Sequence, residues 1–263
     1  MKLAVIGDPI AHSLSPAIHK AVFDELGWPL VYSSHRVEKG KLGEWLPVMR
    51  EEGIDGFNVT MPHKADIIPF CGAVHAKSVN TVTVRNGALT GYSTDENGFL
   101  LSLRERGFSV AGKTAVIAGR GGVTATLSAA LEEAGATVHS VSVRGTPSQP
   151  LGELPALLAS VSPDLFVNAT PLGMKDCPDN WKDLAFLRGL PKYAVVYDLI
   201  YNPPQTVLLR EAAVLGFSTV NGLDMLIYQA ILSDEIYLER ELDTPRLKKT
   251  VLRYLQRYSN HTL

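Results

Sequence analysis

Apolar and polar positions along the chain change period in a regular order. Residues 3–6 (Leu-Ala-Val-Ile) are a short continuous apolar run closed by Gly7-Asp8-Pro9. An apolar run bounded by turn residues predicts a buried strand. After Ser15-Pro16, the apolar residues Ala17, Ile18, Ala21, Val22 and Leu26 fall at helical spacing. Ser15 stands in the place of an N-cap, with Pro16 at the first helical position. Residues 30–37 predict a second strand, 42–52 a second helix and 56–60 a third strand. Residues 62–77 carry no clean period and predict one short helix and a turn. Strands over 79–84 and 89–92 flank Asn86-Gly87. That dipeptide suits a two-residue hairpin turn, in which both positions need positive φ. A helix follows over 99–106.

The second half repeats the alternation. Residues 114–118 predict a strand, Gly119 to Gly122 a glycine loop, and 124–134 a helix ending at Gly135. Then come a strand over 137–143, a helix over 154–161, and strands over 165–168 and 194–198. A helix over 207–215 has Gly216 just past its end, the usual place for a left-handed cap. A long helix over 223–238 and a terminal one over 244–258 complete the chain. No internal repeat is visible. The β-α alternation predicts an α/β architecture with largely parallel sheets.

Composition narrows the class. The chain has 263 residues, enough for one large domain or two modest ones. A hydrophobic share of 46% with 20% charged residues is globular and excludes a disordered or fibrous chain. Lys+Arg number 25 against 27 Asp+Glu, a formal net charge of −2. That balance argues against a nucleic-acid partner, which generally calls for a basic excess. No run approaches the roughly 18 apolar residues of a membrane span. The four apolar residues before Gly7 are too few for a secretion signal, so a cytoplasmic location is the expectation. Cys71 and Cys177 lack neighbours with ligand spacing. Neither a metal site nor a disulfide framework is expected, and both cysteines read as small buried hydrophobes.

The first chemical signal is Gly119-Arg120-Gly121-Gly122, set between a predicted strand and a predicted helix. Glycines there let a pyrophosphate approach the backbone, and the helix N-terminus offers N–H groups and positive dipole. Alone the motif is weak, because glycine turns between strand and helix are common. Arg120 also places a bulky cation inside the loop, and Thr124 stands where a third glycine would allow closer packing. After the next strand an acid suits the ribose of NAD and an arginine the 2′-phosphate of NADP. That point carries Val143-Arg144-Gly145-Thr146, with no Asp or Glu before Glu153. Arg144 therefore favours NADP, with a solvated loop residue as the even alternative. Only 20 residues separate Val143 from Asp164, whereas a helix, a strand and another helix need about 30. The nucleotide-binding half is thus expected to lack part of its second βαβ unit.

The second signal lies in the first half. Ser13-Leu14-Ser15-Pro16 follows the first strand, and two hydroxyls beside a helix N-terminus could hold a small carboxylate. Ser13 has no evident structural duty. Asn58-Val59-Thr60-Met61-Pro62-His63-Lys64, Val79-Asn80-Thr81-Val82 and Gly91-Tyr92-Ser93-Thr94-Asp95 then place polar residues at consecutive strand ends. Singly, Lys64 reads as a surface charge and Thr94 as a helix cap. Their recurrence suggests one pocket.

These segments resemble the shikimate dehydrogenases, with the quinate/shikimate dehydrogenases beside them. The resemblance covers nearly the whole chain. It extends through Asn168-Ala169-Thr170-Pro171-Leu172-Gly173-Met174, Tyr197-Asp198-Leu199-Ile200-Tyr201, and Gly222-Leu223-Asp224-Met225-Leu226 to Gln229. It implies a two-domain α/β enzyme. An N-terminal α/β substrate-binding domain over 1–97 would be completed by the helices of 223–263. A Rossmann-like NADP-binding domain, shortened here, would span 98–222. By family pattern Ser13 and Ser15 would bind the substrate carboxylate. Thr60, Asn80 and Gln229 would bind the ring hydroxyls, Tyr201 would help close the site, and Lys64 and Asp95 would be the catalytic pair. Gly119, Arg120, Gly121, Gly122, Arg144, Leu199 and Gly222 would bind the cofactor. The implied reaction is the reversible NADPH-dependent reduction of 3-dehydroshikimate to shikimate, on the route to chorismate and the aromatic amino acids. No metal is implied, and the family includes monomers and homodimers.

The substrate side follows the pattern more closely than the cofactor side. Ser93 replaces the usual Asn before Thr94-Asp95, and residues 65–78 are short. The usual Gly-Ala-Gly-Gly-Ala is Gly119-Arg120-Gly121-Gly122-Val123 here, the Asn-Arg-Thr phosphate reader is Ser142-Val143-Arg144, and Asp224 replaces a frequent glycine. Two alternatives therefore stand beside the main reading. One is a quinate/shikimate-type dehydrogenase using NAD. The other is a non-catalytic shikimate-binding protein that has lost the dinucleotide, against which the intact Lys64 and Asp95 speak.

Overall fold

The computed structural model describes residues 1–143, 152–175 and 177–261. The chain forms two compact units, Met1–Gly98 with Ile227–Leu263, and Phe99–Leu226. It leaves the first unit within helix α3 (Asp95–Glu105) and returns within helix α7 (Leu223–Leu238).

The first unit is built on a six-stranded sheet in the order β2-β1-β3-β5-β6-β4. Strand β1 (Lys2–Gly7) lies between β2 (Val31–Arg36) and β3 (Gly56–Val59), parallel to both. Both of its faces are covered, which explains the unbroken apolar run: Leu3, Ala4, Val5 and Ile6 are all buried. Each large aliphatic side chain buried this way contributes about 1.5–3 kcal/mol. Strands β5 (Thr81–Arg85) and β6 (Ala88–Tyr92) form the hairpin, with Asn86 at φ 52° and Gly87 at φ 78°. Both turn residues are left-handed, as the Asn-Gly pair predicts. β5 runs antiparallel to β3, so this sheet is mixed. Helices α1 (Ser15–Leu26) and α2 (Leu42–Glu51) connect the parallel strands, and α8 (Thr244–His261) packs on α1. Gly56 is required for close approach: a Cβ there would stand 2.7 Å from the Tyr237 ring of α7.

Residues 62–77 hold a 3₁₀ turn at Ile68–Phe70 and a strand β4 (Ala73–Val74) parallel to β6. Two residues are too few to show any period, so pattern reading misses β4. The predicted cap of α1 is corrected. Leu14, not Ser15, is the N-cap and makes no side-chain bond; Ser15 is already helical. Ser13 carries the duty instead, its hydroxyl oxygen accepting the Ser15 N–H at 3.2 Å. A serine two residues upstream closes a local turn that competes with direct capping. The cysteines differ from expectation in burial: both are half-buried rather than buried.

The second unit carries a five-stranded parallel sheet, β11-β10-β9-β7-β8. β7 (Thr114–Ala118) runs through α4 (Gly122–Glu133) to β8 (Thr137–Val141). The chain then returns by α5 (Leu154–Ser160) to β9 (Leu165–Asn168), on the other side of β7. Strand order thus reverses between β7 and β9, the position where open α/β sheets bind ligands. Among the described residues no strand lies outside β8, consistent with the short span after Val143. β10 (Val195–Asp198), α6 (Val207–Val214) and β11 (Ser218–Val220) complete the unit. β11 is a three-residue Ser-Thr-Val segment without an apolar run, and the sequence reading passes over it. Val116, Phe166 and Val196 pack into the core on one face of this sheet, and Ile117, Val167 and Tyr197 into that on the other. Among the described residues no helix is long and apolar enough to cross a membrane.

Candidate active site

The site of the first unit starts from two strand ends. β1 and β3 are parallel neighbours, with Ile6 opposite Val59, so both run out on the same sheet edge. Gly7 lets the following loops touch: a Cβ there would lie 2.4 Å from Thr60 Cγ2 and 2.9 Å from the Met61 carbonyl. Asp8 N–H donates to that carbonyl at 2.9 Å. The segment carrying Ser13 and Ser15 is thereby tied to the one carrying Thr60 and Lys64. Buried His63 bonds the Val37 carbonyl through Nε2 at 2.6 Å, and Val79 N–H donates to the Lys64 carbonyl at 2.9 Å. These contacts fix the backbone on either side of Lys64.

Lys64 Nζ donates to Asp95 Oδ2 at 2.6 Å. The Asp95 side chain is 7% exposed and that of Lys64 27%, so the pair is shielded on the acid's side and open on the ammonium's. Asp95 opens α3 and lies in its first turn, where the helix dipole favours a negative charge. Its other oxygen, Oδ1, accepts from Asn80 Nδ2 at 2.9 Å. A buried carboxylate needs such compensation at both oxygens. Asn80 Nδ2 also reaches Gln229 Oε1 at 3.2 Å, and Asn80 Oδ1 accepts the Thr94 N–H at 3.0 Å. Asn80 is therefore the hub that joins β5, α3 and α7.

The structure brings Lys64, Asp95, Asn80 and Gln229 into one hydrogen-bonded cluster. It places Ser13 and Ser15 in one turn, and Thr60 at the end of β3. The cluster includes residues that sequence reading did not assign to a site. Thr94, read as a cap, is buried and donates to the Gln229 carbonyl at 2.8 Å. Asn58 Nδ2 reaches Ser233 Oγ at 3.2 Å, and Ser233 Oγ lies 2.7 Å from Thr81 Oγ1. The available signal was the polar pair Ser233-Asp234 interrupting an otherwise apolar stretch of α7. Chemically, the cluster offers a partly exposed ammonium braced by a carboxylate and flanked by amides. That arrangement can exchange a proton with a ligand oxygen while hydrogen-bonding neighbouring hydroxyls.

In the second unit Gly119 ends β7 with φ 140°, its backbone close against Ala169 and Thr124. Among the described residues nothing lies within 4 Å of a Cβ built on Gly121 or Gly122. Gly121 is the N-cap of α4 and offers no side chain, so no side-chain cap engages the first turn. Open space above uncapped helix amides, at the sheet's switch point, fits a dinucleotide pyrophosphate. Arg120 is exposed, its guanidinium 3.8 Å from the Glu153 carboxylate. Arg144 lies outside the described residues. Gly222 packs on the backbone after β10: a Cβ there would stand 2.0 Å from the Leu199 carbonyl, and Gly222 N–H donates to Ile200 O at 3.1 Å. That backbone is held by buried Asp198, which accepts from Thr206 Oγ1 at 2.6 Å, Asn168 Nδ2 at 3.0 Å and Ile200 N–H at 3.1 Å. Burial nevertheless pushes the Asp198 carboxyl up to about 6. Tyr201 follows in the same segment, and burial pushes its phenol up.

Residues 5–82 match the model of the shikimate dehydrogenase substrate binding domain. A shikimate dehydrogenase (NADP(+)) of Symbiobacterium thermophilum is 37% identical over 264 residues, covering 90% of this chain and 89% of its own. The chain belongs to the shikimate dehydrogenase family. The family fold extends over both units. A crystal structure of shikimate dehydrogenase 1 from Peptoclostridium difficile superposes with a TM-score of 0.85 at 28% identity, covering 98% of each chain. A family member from Thermus thermophilus, solved in complex with NADP(H) and shikimate, superposes at 0.80 with 30% identity over 97% of this chain and 99% of that one. The α/β fold class expected from the alternation is therefore the family's own.

Proposed function

We propose that this protein is an NADP(H)-dependent shikimate dehydrogenase, reversibly reducing 3-dehydroshikimate to shikimate in aromatic amino acid biosynthesis. The observation that carries the reading is the 2.6 Å Lys64–Asp95 pair held on the Asn80 hub, in a chain with full-length relatives of that name. The first unit is the substrate domain and the second the cofactor domain. Ser13 and Ser15 receive the substrate carboxylate at the start of α1. Thr60, Asn80 and Gln229 hydrogen-bond the ring hydroxyls.

NADPH, when bound, supplies the hydride to the ring carbonyl carbon. Lys64 delivers a proton to the carbonyl oxygen, and its ammonium stabilises the negative charge that grows there. Asp95 keeps that ammonium aimed, and Lys64, the more exposed of the two, regains its proton from solvent. Gly119, Gly121 and Gly122 admit the pyrophosphate to the first turn of α4, with Arg120 beside it. Leu199 and Gly222 form the wall beside the nicotinamide, and Arg144 reads the 2′-phosphate. A binding protein without catalysis has no use for the Lys64–Asp95 pair.

The test is shikimate-dependent reduction of NADP⁺ and NAD⁺, followed in parallel by nicotinamide absorbance. Turnover favouring NADP⁺ is expected. A preference for NAD⁺ overturns the role given to Arg144, and folded protein that turns over neither overturns the enzyme reading.

A further inference from the structure

One buried polar pair takes no part in the chemistry above. His19 and Asp234 are fully buried, and His19 Nδ1 lies 2.6 Å from Asp234 Oδ1. His19 is one helical turn after Ser15 on α1, and Asp234 lies five residues after Gln229 on α7. The pair therefore joins the helix that begins at the proposed carboxylate site to the helix that carries a proposed hydroxyl ligand.

The contact continues toward the site on both sides. The Tyr32 ring stacks on His19, with centroids 4.7 Å apart and planes 13° from parallel. Tyr32 Oη donates to Asn58 Oδ1 at 2.8 Å, and Asn58 Nδ2 reaches Ser233 Oγ, back on α7, at 3.2 Å. Burial and the charge of Asp234 push the Tyr32 phenol up, while a hydrogen bond with the Ser15 side chain works the other way. A closed circuit thus runs from Asp234 through His19, Tyr32 and Asn58 to Ser233. His19 Nε2, Asp234 Oδ2 and Tyr237 Oη have no hydrogen-bond partner among the described residues. A polar pair this deep is a poor choice for stability alone, since apolar side chains of similar volume generally serve as well.

We propose that His19 and Asp234 are positioning residues for substrate binding, holding the first turn of α1, and with it Ser15, in register with Gln229 on α7. This rests on the proposed function above. Ser15 would grip a carboxylate remote from the reacting carbon, so its misplacement removes binding common to ground and transition states. Such a loss raises KM and leaves kcat alone.

The test is steady-state kinetics and shikimate calorimetry on three variants. Asp234→Leu deletes the acceptor and is expected to raise the shikimate KM about tenfold, with kcat within about twofold and the NADP⁺ KM unchanged. Asp234→Asn keeps an acceptor for His19 and is expected to restore KM to within about twofold of wild type. The double variant His19→Phe/Asp234→Leu strands no polar group, keeps an aromatic ring under Tyr32, and decides the matter where Asp234→Leu does not fold; it too is expected to show the raised KM. Wild-type KM in a folded Asp234→Leu or double variant overturns the inference, as does an Asp234→Asn variant no better than Asp234→Leu. Wild-type protein that binds shikimate without turning it over sinks the enzyme reading but leaves this inference open to the same comparison by calorimetric Kd. Wild-type protein that neither binds nor turns over shikimate ends both.

Discussion

Lys64 and Asp95 stand 31 positions apart in the sequence and meet at 2.6 Å, the lysine on the loop after β3 and the aspartate in the first turn of α3. Because the role proposed for Lys64 is on the reacting oxygen, its removal is expected to strike the chemical step. Lys64→Ala should lower kcat by about 10²–10⁴-fold with the shikimate KM nearly unchanged. Steady-state kinetics checks this, and a near-normal kcat would refute the assignment.

Asn80 carries a different kind of load. It is 2% exposed and serves Asp95, Gln229 and the Thr94 N–H at once. Asn80→Ala strands those partners in a buried place. A destabilisation of about 2–4 kcal/mol is expected, from one or two groups left unsatisfied. Urea denaturation measures it; a loss below about 0.5 kcal/mol, the size of an ordinary surface change, would mean that water replaces the amide.

Two glycines of the second unit should separate binding from folding. Gly121 has open space where a Cβ would go, whereas a Cβ on Gly222 meets the Leu199 carbonyl at 2.0 Å. Gly121→Ala is expected to leave stability within about 0.5 kcal/mol while raising the NADP⁺ KM, because the methyl group takes the space proposed for the pyrophosphate. Gly222→Ala should lower the melting temperature before any cofactor is added. Equal NADP⁺ KM values for wild type and Gly121→Ala would remove that loop from the cofactor site.

The buried carboxyl of Asp198 gives a dependence on pH. Its folded value of about 6 lies above the ordinary 3.8, so the folded protein holds this proton more tightly than the unfolded chain. The associated stability is fully present below the unfolded value and is lost as pH rises through the folded one. Between about pH 4 and pH 7 the loss is about 2 kcal/mol, most of the roughly two pH units of separation. Denaturation of wild type and Asp198→Asn at both pH values should show the difference between them moving by that amount toward the variant. A constant difference would show that the three hydrogen bonds offset the burial.

Legibility in the sequence followed how local each cause was. β1, β7 and β9 are short apolar runs buried on both faces, and the runs themselves mark them. The β5–β6 turn is equally plain, because Asn86 and Gly87 supply the left-handed backbone it needs. β4 and β11 are too short to show a period. Their pairing is decided by neighbours distant in sequence, β6 and β10. At the site, the strand-end positions of Lys64, Asn80 and Asp95 were readable as types. Their recurrence suggested one pocket, but the hydrogen bonds that join them on Asn80 were not readable, nor was the part played by Ser233 and Asp234. Those two reach the underside of the cluster only because Gly56 lets α7 settle against β3. Capping was misread for a similar reason. Ser15 fits the pattern of an N-cap, and only the folded backbone reveals that Ser13 has taken the bond.

The first unit is assembled from both ends of the chain, and its hub at Asn80 requires Gln229, 149 residues further on. On a ribosome the consequence is an order of events. Phe99–Leu226 is contiguous and can finish its sheet while the tail is still in the exit tunnel. The earlier-made strands must wait, holding an unfilled seam along β3 and β5 until α7 emerges to seal it. The half of the protein synthesised first is therefore the half completed last.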